Sequence, residues 1–77
     1  MSQSTLLDAV TDLRRSIYAG NSDRFLKNAI KIIEKNEIKG KRIQKIKNLL
    51  KKHPNEEELL MAAVLLQNEV ILIQKSQ

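Results

Sequence analysis

Cysteine and tryptophan are absent from this chain, proline occurs once, glycine twice, and aromatics make up 3 % of it. Without cysteine there is no disulfide, and the usual Cys/His zinc set cannot be built around a single histidine. The lack of thiols also fits a reducing compartment. So little glycine and proline leaves no turn signals at the ~8–12-residue spacing of an all-β chain. The longest apolar run is eight residues, Leu59 to Leu66. A membrane-spanning helix needs roughly 20. The opening residues, Met1 to Thr5, place no basic stretch ahead of apolar ones, so no secretory signal is expected and a cytoplasmic location is. Between Ile38 and Asn55 there is no acidic residue at all.

What is present is dominated by that eight-residue run, Leu-Leu-Met-Ala-Ala-Val-Leu-Leu. It follows Asn55 and three glutamates. Asn-x-x-Glu resembles a capping box, and acids in a first turn complement the positive end of the helix dipole. A helix turns about 100° per residue, so eight consecutive apolar residues cover its whole circumference. A surface helix of a 77-residue protein needs one apolar face only. Leu59, Ala63, Leu66, Val70 and Ile73 form one stripe. Leu60, Met61, Val64, Leu65, Ile71 and Leu72 fall outside it and are the candidate protein interface.

The expected architecture is all-α: a single domain over residues 1–77, built as a compact bundle of four helices joined by short loops. The helices are expected at about 5–18, 23–39, 41–52 and 56–74. In the first, Ser4 is the candidate N-cap, and Leu6, Val10, Leu13 and Ile17 form a seam. Gly20 can take the left-handed conformation that closes a helix. Asn21 or Ser22 can cap the second, whose apolar face holds Phe25, Leu26, Ala29, Ile30, Ile32 and Ile33. It can stop near Asn36 or continue to Lys39 with Gly40 as the stop; the second is preferred, because it keeps Ile38 out of a loop. In the third, Ile43, Ile46, Leu49 and Leu50 face inward, and His53-Pro54 ends it, since proline disfavours helical geometry in the residue before it. Cores of this size supply only ~3–5 kcal/mol, and self-association is a common remedy. A homodimer, or docking to another protein, is therefore expected.

Net charge is +5. Seven bases and no acid lie between Ile38 and Asn55: Lys39, Lys41, Arg42, Lys45, Lys47, Lys51 and Lys52. On a helix, Lys41, Lys45, Asn48 and Lys52 share one side. A face of this kind can neutralise phosphates or meet an acidic protein surface, and it can equally be a plain solvated face. Six of the seven are lysines, and only Arg42, Gln44 and Asn48 have the chemistry that reads base edges. No aromatic is placed for base stacking.

Other candidates read more simply. His53, at a helix end, has no second metal ligand beside it. Consecutive Glu56, Glu57 and Glu58 point 100° apart, which suits capping and not an acid–base pair. Tyr18 is the only phenol and is expected to pack at the core or its rim. There is no phosphate-binding glycine loop and no Ser/His/Asp set. An enzyme, a metal, a cofactor and a small-molecule substrate are not expected.

Gly20-Asn-Ser-Asp-Arg-Phe25, followed by Ala29 and Gly40, resembles the small N-terminal helical domain of some bacterial AAA+ ATPases. The resemblance covers residues 6–50. It departs where Asn36 stands in place of an acid, with Glu37 one position late, and in a shift of about one residue in the third helix. The fourth helix lies outside it, and no Walker motif is present. The resemblance implies a docking module without its motor, and no catalytic residue. Two functions stay open: a protein-interaction or regulatory module using the last helix, and a nucleic-acid-binding regulator using the basic face of residues 39–52.

Overall fold

The computed structural model describes the backbone of residues 2–76 and the side chains of residues 6–75. Four helices follow one another: α1 (Ser2–Tyr18), α2 (Ser22–Lys35), α3 (Lys41–Lys51) and α4 (Glu56–Ser76). They form an all-α bundle measuring 34 × 26 × 18 Å. α4 packs along one flank against α1 and along the other against α3, and reaches α2 through the core. α2 lies against α1, while α1 and α3 do not pack on each other.

The expected apolar faces form the core. Val10, Leu13 and Ile17 of α1 meet Phe25, Ala29 and Ile33 of α2, Ile43, Ile46 and Leu50 of α3, and Leu59, Ala63, Leu66 and Val70 of α4. Leu6, Leu26, Ile30, Ile32, Leu49 and Ile73 are half-buried around them. Ala29, Ala62 and Ala63 are fully buried; with only a methyl each, they let helix backbones approach closely. Phe25 is the largest fully enclosed side chain, and burying it is worth about 1.5–3 kcal/mol.

Helix ends depart from the sequence expectation in instructive ways. α1 begins at Ser2, so Ser4 lies inside it and is not its cap. α2 ends at Lys35, four residues short of the expected Lys39. Glu37 takes φ +52°, its N–H donates to the Glu34 carbonyl, and the Ile38 N–H donates to the Ile33 carbonyl. That pair of bonds is the Schellman closure, which normally has glycine at the left-handed position. Ile38 is not stranded by it: it sits in the loop and is buried. Gly40 opens α3 instead of stopping α2. Its φ of +138° suits glycine alone, and its carbonyl accepts the Gln44 N–H at 3.0 Å.

α1 closes as expected on Gly20 (φ +82°), with Gly20 N–H to Ile17 and Asn21 N–H to Ser16. Asn21 then stands at the N-cap of α2, but its side chain makes no capping bond. The first turn of α2 is held instead by Arg24, which donates to Ser16 Oγ at 2.8 Å and pairs with Asp12 on α1. α3 ends at Lys51, one residue early, with His53 at φ +54°. The capping box of α4 is complete: Glu58 N–H donates to Asn55 Oδ1 at 2.8 Å, and Asn55 N–H to Glu58 Oε1 at 3.0 Å. α4 runs two residues beyond the expected end, to Ser76.

Candidate interaction surfaces

α4 is apolar all round, and its three neighbours cover only part of it. Leu59, Ala62, Ala63, Leu66 and Val70 face the core. Two polar bridges mark the flanks. Toward α1, Gln67 Oε1 accepts from Arg14 Nη1 at 2.7 Å, and Gln67 Nε2 donates to Thr11 Oγ1 at 2.9 Å. Toward α3, Glu69 accepts from Arg42 Nη1 at 3.2 Å. At about 100° per residue these two flanks are separated by an outer arc that, among the described residues, no other helix covers. Met61, Val64 and Leu72 lie there, 54 %, 36 % and 48 % exposed. Leu60 and Leu65, half-buried, pack against the core edge. Ile71 is half-buried beside them. The six expected interface residues thus divide into an open strip of three and a shoulder of three.

The polar bridges were not legible as such. Gln67 reads in sequence as the residue that ends the apolar run, and Arg14 as part of the wet side of α1. Their separation of 53 positions hides the contact. Arg14 also donates to the Tyr18 hydroxyl at 3.3 Å, and its guanidinium lies 5.8 Å from the centre of the Tyr18 ring. Tyr18 is consequently an exposed cover for Arg14, not a core residue.

α3 carries the basic face. Lys41, Lys45, Lys51 and Lys52 are exposed, and Lys47 is half-buried. Arg42 is exposed but engaged by Glu69. Gln44 donates to Asn48 at 3.3 Å, so both are occupied with each other. Of the groups able to read bases, each therefore already has a partner within the chain. What remains outward is a set of lysine point charges, suited to phosphates or carboxylates without sequence discrimination.

An open groove of about 370 Å³ runs between α1 and α2, with Asp12, Arg24, Asn28, Lys31 and Lys35 along it. Its carboxylate is spent on Arg24. His53 is exposed in the α3–α4 turn. Among the described residues no three His, Cys, Asp or Glu side chains gather as metal ligands, and no helix is long and apolar enough to cross a membrane. No family model, curated protein or solved structure matches this chain.

Proposed function

We propose that this chain is a small non-enzymatic interaction module that works by burying the outer face of α4 against another protein surface. The observation that carries the reading is the exposure of Met61, Val64 and Leu72 along one side of one helix. Scattered exposed apolar residues are ordinary, whereas exposed apolar residues aligned along one side of a helix, interrupted there by Asn68 alone, mark a contact face. The likeness of residues 6–50 to a docking domain, which leaves out α4, supports an interaction module in general but not the choice of face, and the absence of cysteine suits a cytoplasmic setting. Oxidative footprinting of Met61 tests it whatever the partner is. Met61 should be protected in cells relative to dilute purified protein. Equal labelling in both would overturn it.

A second reading is favoured by the outward lysines of α3: contact with nucleic-acid phosphates. It requires binding to duplex DNA or RNA that falls steeply with salt and is lost in Lys45→Glu/Lys52→Glu. Absence of any gel shift at low salt removes it.

A further inference from the structure

We propose that the occupant of the α4 outer face is a second copy of the same face, laid antiparallel across a two-fold axis level with Leu66. This rests on the docking reading above and names its partner.

Glu57 and Lys75 carry the argument. They are 18 positions apart, which is five whole turns, so they stand on the same side of α4 about 27 Å from each other. Both are exposed. Among the described residues neither makes an ion pair. With Met61, Val64, Asn68 and Leu72 they occupy about 80° of arc. The strip is thus acidic at its start, apolar in its middle and basic at its end.

A two-fold interface requires that when one residue meets another, the reverse contact also forms. Side by side in parallel, Glu57 would meet Glu57 and Lys75 would meet Lys75. Antiparallel, Glu57 meets Lys75 of the copy at both ends. The same register sets Met61 opposite Leu72, next to Ile71, and Val64 opposite Asn68. It leaves the two Asn68 residues about 6 Å apart along the helix direction, within reach of an amide–amide hydrogen bond. A lone Asn in an apolar seam is a register-setting device in paired helices.

The face also runs nearly the full length of the molecule. α4 has 21 residues and is about 31 Å long, close to the 34 Å long dimension of the molecule. Because α1 and α3 flank α4 on opposite sides, the rotation brings the lysine faces of both α3 helices to one side of the dimer.

The test uses the purified full chain. Sedimentation equilibrium should give twice the 8.8 kDa of one chain. Glu57→Lys and Lys75→Glu should each weaken association about tenfold, by turning two attractive end contacts into repulsive ones. The double variant Glu57→Lys/Lys75→Glu should recover wild-type affinity, and so should a mixture of the two single variants. Both charge changes are at exposed positions, and circular dichroism should report an unchanged fold. Oxidised Met61→Cys should cross-link to Leu72→Cys but not to itself. A chain that stays monomeric at about 1 mM, where even millimolar contacts are populated, overturns the inference; if Met61 is then still protected in cells, docking stands with a different protein. A dimer that ignores the single charge swaps and cross-links through Met61→Cys alone is parallel, and overturns the arrangement.

Discussion

The backbone N–H of Ile38 donates to the carbonyl of Ile33 at 3.0 Å, and the two side chains are both buried. The bond wraps the chain back on α2 and drops Ile38 into the core from a loop. Its cost is borne by Glu37, held at φ +52°. An L-residue there is disfavoured by about 1–2 kcal/mol, and part of any gain from glycine returns as unfolded-state entropy. Glu37→Gly should stabilise the protein by about 0.5–1 kcal/mol. In a domain of this size that raises Tm by roughly 2–8 °C. Thermal melts by circular dichroism read it directly; an unchanged or lower Tm would mean the closure carries no strain.

Asn55→Ala removes one half of the reciprocal pair with Glu58. The expected loss is about 1 kcal/mol. Asn55→Ser or Asn55→Asp should retain most of it, because either oxygen can accept the same N–H. Urea denaturation midpoints at constant slope provide the check.

Gln67→Leu should destabilise by about 1–3 kcal/mol, more than its half-buried position suggests. It strands Thr11 and the Arg14 guanidinium, whose Nε is already buried without a partner. Arg14→Leu/Gln67→Leu should recover much of that, since the unpaired guanidinium is removed and only the Thr11 hydroxyl has lost its partner. A double-mutant cycle with a coupling near zero would show that the bridge contributes nothing.

Ala63→Leu forces three extra heavy atoms into a fully buried position on α4. Overpacking of this kind costs about 1–3 kcal/mol. Ala19, exposed in the α1–α2 turn, should accept the same change within about 0.5 kcal/mol. Similar melting temperatures for the two variants would argue that the bundle has slack around α4.

Phe25→Ala should leave most molecules unfolded at room temperature. Truncating an enclosed Phe costs about 3–5 kcal/mol, which matches the ~3–5 kcal/mol that a core of this size supplies. Loss of helical ellipticity is the readout, and a cooperative melt close to that of the parent would contradict it.

Helical class, helix number and the inward faces are legible from periodicity, because the 3.6-residue repeat is a property of the local chain. Val10, Leu13 and Ile17, or Ile43, Ile46 and Leu50, can be placed inward without knowing what they touch. The capping box at Asn55 is equally local, spanning four residues. The end of α2 could not be chosen from sequence: a stop near Asn36 is one of its two options, and the longer one, to Lys39, is preferred there. Glu37 is an unremarkable helix former, and its left-handed conformation follows from the reward of burying Ile38, which exists only once α2 has neighbours. Gly40 was readable as punctuation, but not as the start of α3 in place of the end of α2.

By itself the amino-acid order determined that the chain is four helices, which side of each is apolar, and that α4 has more apolar surface than one side requires. Only the tertiary arrangement decided which part of that surplus stays open. α1 and α3 take the two flanks of α4 through Gln67 and Glu69, and the strip of Met61, Val64 and Leu72 is left on the arc between them. The pairing of Arg42 with Glu69, 27 positions away, likewise takes the one arginine of α3 out of its outward chemistry and leaves lysines there. Those outcomes depend on contacts between residues far apart in the chain, and helical periodicity carries no information about them.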